Sequence, residues 1–320
     1  MAPLDPRMRR SVASAPPFPL AGEVAALTSS LFWAGAGIVF RRLKGRVPPL
    51  AVNLAKNSIA TALLVVTVAA VPSLAWPTGI AATPFLLLVL SGVVGLTVCD
   101  SFFLRSIMEI GPRRATLIAL LAPCLVFIGV LLPPFSQFGE VARVRPWAGF
   151  LLAMIGVAMA ATGSRSSAEL PVDAARERRG VRDALLAAVF QAVGVLLARR
   201  AIELGSAPVP GALVRLAAGS IGLVIVGAAT RSLPVWTSAL TAKGILPLMI
   251  VTAFFGTFLG IGLNQVSLAW SPSTGVATIL NSLAPVWLIP LAFVFLGEKP
   301  ARRGLVATAL TLGGVALLSF

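Results

Sequence analysis

The feature that most limits this chain is a series of apolar runs, each about the length of a bilayer crossing, that recurs from Gly22 to Phe320. A helix of about 20 mostly apolar residues spans the roughly 30 Å hydrocarbon core. Inside that core the backbone must satisfy its own hydrogen bonds, which leaves helices or closed barrels. Read in order, the runs predict spans at 22–41, 50–71, 83–105, 113–132, 146–163, 183–202, 210–230, 244–268, 273–296 and 302–320. The expected fold is an all-α integral membrane protein with ten transmembrane helices. Composition supports this: the chain is 58% apolar and 12% charged, where a soluble domain has about 25% charged residues.

The runs are also duplicated. Between Asn281 and Phe320 two of them flank a polar insert, Gly297-Glu298-Lys299-Pro300-Ala301-Arg302-Arg303. The same order occurs earlier, from Ala122-Pro123 through Gly139-Glu140 to a second run ending at Met159-Ala160. Phe32-Trp33-Ala34 matches Phe190-Gln191-Ala192, Asn57-Ser58-Ile59 matches Gly219-Ser220-Ile221, and Gly111-Pro112 matches Ser271-Pro272. These matches divide the chain into a basic, proline-rich tail (1–21) read as disordered, a first five-helix repeat (22–163), a polar linker loop (164–182) containing RERRGVRD, and a second five-helix repeat (183–320). Prolines 16, 17 and 19 break up any signal-peptide core in the tail. An odd number of spans per repeat inverts the second repeat relative to the first. That is an architecture of alternating access, with the solute site near the midplane where the repeats meet.

On these landmarks the chain resembles the drug/metabolite transporter superfamily, and within it the EamA-type ten-helix transporters. The resemblance is carried by Pro123 and Pro285, by Gly139-Glu140 and Gly297-Glu298, and by the closing helices with Gly156 and Gly313-Gly314. The second copy is the closer to the family pattern, because the first carries the insertion Pro133-Pro134-Phe135-Ser136-Gln137. What the resemblance implies is a carrier of metabolites, often amino acids or related compounds, across a bacterial inner membrane. It does not imply a particular solute.

Residue chemistry gives the candidate site. Ionisable groups inside a span are costly and by default mark function. Here they are Lys56, Asp100, Arg215 and, at a span end, Glu109. At about 1.5 Å per residue, Lys56 and Asp100 lie at comparable depths, roughly 10 and 14 Å from one face, so they can pair. Arg105 and Glu109, four apart, are expected to form a local helix pair. On the repeat alignment Arg215 takes the position of Asn53, and Gly260 that of Asp100, so Arg215 lacks a symmetric carboxylate. It is read either as a bidentate contact to an anionic solute, or as a structural cation paired with Asp100 or Glu203, bonded to carbonyls, or snorkelling. Trp33, Gln191, Asn264, Gln265, Asn281 and Trp287 are the polar and indole groups around these charges, suited to cavity lining or to interhelical hydrogen bonds. Pro123 and Pro285 kink their helices and are candidate hinges. Glu140 and Glu298 are expected to cap or pair at helix ends.

Several classes are disfavoured. The net charge of +15 lies in short connections rather than on one basic face, which points to topology and not to nucleic acid. The chain has no histidine, and its two cysteines, Cys99 and Cys124, sit in apolar runs, so no metal, cofactor or disulfide framework is expected. An integral-membrane enzyme would need a catalytic cluster that is absent from the pattern; a multidrug efflux carrier and a non-transporting scaffold or sensor remain as alternatives. The expected partners are a small-molecule solute and the lipid bilayer, in a monomer or homodimer. With no histidine, proton coupling falls to a carboxylate, of which Asp100 is the deepest. The distribution of Lys and Arg among the loops puts both termini outside, whereas the family resemblance implies both in the cytoplasm.

Overall fold

The computed structural model describes residues 17–71, 74, 81–129, 148–149, 151–152, 154–156, 158–159, 173–270, 277, 280–297 and 302–319. The described elements are helical: α1 (Ala21–Arg42), α2 (Pro49–Ala70), α3 (Ala82–Ile110), α4 (Pro112–Ala119), α5 (Leu121–Gly129), α6 (Ala174–Glu203), α7 (Pro208–Ala229), α8 (Leu233–Thr241), α9 (Ile245–Trp270), α10 (Ala284–Leu296) and α11 (Arg302–Ser319). By length and composition, α1, α2, α3, α6, α7 and α9 can each cross a membrane. The described residues between 148 and 159 are helical as well.

Helix boundaries follow local chemistry. Pro49, Pro112 and Pro208 sit in the first turn of their helices, where a missing N–H costs nothing. Pro123 sits four residues after Ala119, where α4 ends, so its ring and missing donor break the chain into α4 and α5. Pro285 lies at the second position of α10, just after a turn at residues 282–283. Gly297 ends α10 with φ 67°, in the left-handed region that favours glycine. Two expectations change here. RERRGVRD is helical, because α6 begins at Ala174 and not near residue 183; two alanines open the helix and acidic Glu177 falls in its first turn. α8 is a short helix that the apolar runs do not announce, anchored by buried Trp236. Glu140 and Glu298 lie outside the described residues.

Packing between the halves is pairwise exchanged. α1 packs on the last part of α9 as α6 packs on the last part of α3, and α1 meets α10 as α6 meets α5. Seven-residue π-helical segments, Val93–Cys99 in α3 and Ala253–Leu259 in α9, occupy matching places. The first packs against α7 and the second against α2. α2 and α7 meet each other directly, with Thr61 Oγ1 and Ser220 Oγ 3.4 Å apart.

Directions follow from contacts on α3. Asn53 reaches Ser101 Oγ at 3.1 Å, and farther along α2 Asn57 reaches the Leu96 carbonyl at 3.5 Å, so α2 runs antiparallel to α3. On α7, Arg215 lies against Gly92, Gly219 against Leu96 and Gly222 against Thr97, so α7 runs parallel to α3. α2 and α7 are therefore antiparallel.

The structure also corrects the register between them. When Pro49 is laid on Pro208, every buried residue of α2 finds a buried mate in α7, and Thr61 falls on Ser220. Lys56, not Asn53, is then the mate of Arg215. The match of Asn57-Ser58-Ile59 to Gly219-Ser220-Ile221 is three residues out of register.

A Cβ at Gly92 would run into the backbone of Arg215, whereas at Gly35 nothing lies within 4 Å. Gly92→Val is expected to cost about 1–3 kcal/mol by overpacking and to lower the thermal unfolding midpoint in detergent. Gly35→Ala is expected to hold or raise it, since alanine is favoured over glycine by about 0.5–1 kcal/mol inside a helix.

Candidate functional site

A cavity of about 270 Å³ lies between the two halves, lined by residues from α1, α2, α3, α4, α5, α6, α7, α9 and the start of α10. It brings together Trp33, Lys56, Asp100 and Gln191 of the sequence candidates, and with them Arg215, Asn264 and Asn281. Pro123 contributes to its wall beside Phe40, Phe103 and Leu120. Trp287 is placed elsewhere: its Nε1 donates to Ser30 Oγ at 3.0 Å and stitches α10 to α1. Pro285 lies in α10.

Lys56 and Asp100 form the ion pair that their depths suggest. Lys56 Nζ lies 2.5 Å from Asp100 Oδ2 and also donates to Asn57 Oδ1 at 2.9 Å. Their side chains are 7% and 20% exposed, with the carboxylate as the more accessible partner. Asn53 accepts from Asn57 Nδ2 at 3.1 Å and ties that residue to α3, donating to the carbonyl of Leu96 at 2.8 Å and to Ser101 Oγ. The π segment of α3 ends at Cys99, so Asp100 is the first residue after it. A π turn shifts the face that the following residues present, and such segments concentrate at functional sites.

Arg215 is buried and hydrogen-bonds to neither Asp100 nor Glu203. Its NH1 donates to Gln265 Oε1 at 3.0 Å, while Glu203 is held by Arg199 and Arg200. Arg215 Nε, Gln265 Nε2 and Asn281 Oδ1 are buried without a hydrogen-bond partner among the described residues. A buried polar atom left unpaired costs about 1–3 kcal/mol. Asn281 spends its amide donors on Ser267 Oγ and the Ala277 carbonyl, both at 2.9 Å. Among the described residues three charged ones line the cavity, two cations and one carboxylate, for a net formal charge of +1.

The matched positions differ in a consistent way. Against α3 of the first half, Gln191 Oε1 of α6 accepts from Cys99 Sγ at 3.3 Å, next to Asp100. Against α9 of the second half, the mate of Gln191 is Trp33 of α1, and its indole lies against Gly260, the mate of Asp100. Sequence reading placed Gln265 among the polar groups but did not recognise it as the partner of Arg215. The signal was weak, because the two residues lie 50 positions apart on separate helices.

Arg105 and Glu109 do not pair as expected. Glu109 accepts from Arg176 at 2.8 Å, and Arg105 lies over the Phe102 ring at 5.8 Å. The early start of α6 explains this: its first turns carry Arg176 and Glu177 to the α3–α4 corner, where Glu177 also meets Arg114 at 2.5 Å.

If the Lys56–Asp100 pair carries its own desolvation, removing one partner should be worse than removing both charges. Lys56→Met is expected to destabilise by up to about 3 kcal/mol, the low end for a broken buried pair. The double variant Lys56→Met/Asp100→Asn should recover most of that, as read from unfolding midpoints of the purified protein.

Comparison with known proteins agrees with this architecture. The model of the EamA-like transporter family matches residues 20–162 and again 179–320. No curated protein matches the chain by sequence. One solved crystal structure superposes with a TM-score of 0.65 at 18% identity, over 93% of this chain and 97% of that one, a likeness of fold. The two family matches together cover nearly the whole sequence, one on each half, and the chain belongs to the EamA-like transporter family, a multi-pass membrane protein of the transporter type.

Proposed function

We propose that this protein is a secondary transporter of the inner cell membrane that exports a small amino-acid-like metabolite, zwitterionic or anionic, by alternating access. In this reading ten helices form two inverted repeats, and the kinks at Pro123 and Pro285 act as hinges. The antiparallel α2 and α7, which meet at matching residues, support the inversion. The observation that carries the solute class is the cavity's two cations for one carboxylate. A carboxylate on the solute would neutralise Arg215 through charge-assisted hydrogen bonds. The volume, about 270 Å³, is just under the roughly 300–1,000 Å³ of pockets for drug-sized ligands and suits a small metabolite. A carrier for lipophilic cations would need an excess of negative charge here, which the lining does not provide.

Coupling follows from Asp100. If the ammonium of a zwitterion takes the carboxylate that a proton would otherwise take, solute and proton compete for one group. Competition at a single alternating site produces exchange, so inward proton flow drives the solute out.

Two measurements test these assignments. In proteoliposomes an imposed pH gradient should drive counterflow of the solute, and Asp100→Asn should abolish the dependence; gradient-independent flux in the unmodified protein rejects the coupling. Arg215→Ala should weaken solute affinity by about tenfold or more, the value of a charged hydrogen bond, with Arg215→Lys in between because it keeps the charge and loses the fork. Equal affinity in all three removes Arg215 from the site.

A further inference from the structure

The two halves offer the same place to a carboxylate and fill it differently. In the first half the cation Lys56 on α2 is met by Asp100 on α3. In the second half Arg215 takes the place of Lys56, and the mate of Asp100 is Gly260, with no side chain at all. A Cβ built at Gly260 would lie 2.7 Å from Trp33 Nε1 and 3.0 Å from Trp33 Cδ1, closer than real side chains pack. The mate of Trp33 is Gln191, a smaller side chain whose Oε1 accepts from Cys99 Sγ, the neighbour of Asp100. Indole and carboxylate are thus alternatives at this position, and beside α9 the indole of Trp33 from α1 occupies it.

The consequence falls on Arg215. Its guanidinium is buried, its hydrogen bond goes to the neutral amide of Gln265, and its Nε has no partner among the described residues. An amide oxygen satisfies a donor but does not cancel a charge. The one carboxylate among the described lining residues, Asp100, is already held by Lys56.

We propose that Trp33 and Gly260 are specificity-determining residues: by keeping a second protein carboxylate, beside the Asp100 that Lys56 holds, from pairing with Arg215, they reserve that cation for the anionic group of the solute. The indole also walls the cavity at that point and limits how far a solute can extend past Arg215. This inference rests on the reading of Arg215 as a solute contact, and it adds the residues that make Arg215 available.

The test rebuilds the first-half arrangement in the second half with Trp33→Gln/Gly260→Asp, a pair whose geometry already exists at Gln191 and Asp100. Purified full-length protein is titrated with straight-chain monocarboxylates from acetate to decanoate and with their uncharged amides, following thermal stabilisation. The unmodified protein should bind carboxylates about tenfold or more tighter than amides, and Arg215→Ala should lose that preference. The double variant should lose it too, although Arg215 is still present. If Arg215→Ala loses the preference and the double variant keeps it, the role of Trp33 and Gly260 is overturned and that of Arg215 stands. If the unmodified protein shows no preference, both are overturned. Should the double variant fail to fold, Trp33→Gln alone decides: it should keep the preference and bind the longer carboxylates about tenfold tighter through the space released, and an unchanged chain-length profile overturns the proposal.

Discussion

The close approach of α3 and α7 is the contact on which the rest of the arrangement depends. Gly92, Gly219 and Gly222 bring the two helices together so tightly that a methyl group at any of them would strike the opposite helix. Lipid tails are as apolar as leucine, so association inside a bilayer draws on close packing and hydrogen bonds rather than on the hydrophobic effect. Both occur here: Thr97 Oγ1 donates to the Gly219 carbonyl at 2.9 Å, and on the other side of α3 Ser91 Oγ donates to the Gly194 carbonyl at 2.7 Å. α3 is thereby clamped between α6 and α7, both from the other half. The backbone of Arg215 lies against Gly92, so this clamp is also what sets the depth of that cation.

Pseudosymmetry explains the frame, and its failures explain the charge of the cavity. A duplicated chain starts with like groups at like places, and Lys56 and Arg215 keep that likeness. Asp100 and Gly260 do not, nor do Gln191 and Trp33, and these two differences lie against each other in space. One difference alone would have left a clash or a hole. Together they replace a carboxylate with an indole of suitable bulk and leave the cavity with an extra positive charge.

The architecture was legible because bilayer physics leaves few choices. Apolar runs of a set length place the described helices other than α8, and the match of Trp33 to Gln191 reproduces their equivalent placement. The register of α2 against α7 was harder to read. A slip of three residues turns a helix by about 300° at 100° per residue, so the apolar stripe moves only about 60° and a polar-apolar pattern hardly registers it. Identity at Ser58-Ile59 and Ser220-Ile221 then favoured the wrong alignment, whereas the buried faces and the opening prolines select the other. Arg105 and Glu109 failed for a related reason. Four-residue spacing makes a pair possible, but the competitor, Arg176, arrives from a segment whose polarity reads as a loop and which is in fact the first turns of α6.

The π segments connect this static asymmetry to the motion that a carrier needs. A π turn closes i to i+5 and is seldom sustained, so two seven-residue segments in matching places are unusual. Each packs against the second helix of the opposite half, and each ends where the mates Asp100 and Gly260 begin. Tightening one segment to ordinary α geometry would turn the residue that follows it around the helix axis. In the first half that residue is one end of a buried ion pair, and its rotation is opposed by Lys56. In the second half it is a glycine beside an indole, with no side chain to pair, and its carbonyl accepts from Ser29 Oγ at 2.8 Å. Tightening the first segment would therefore work against a side-chain ion pair and tightening the second against a hydrogen bond to the backbone, so the same distortion in a symmetric frame meets different chemistry at its two ends.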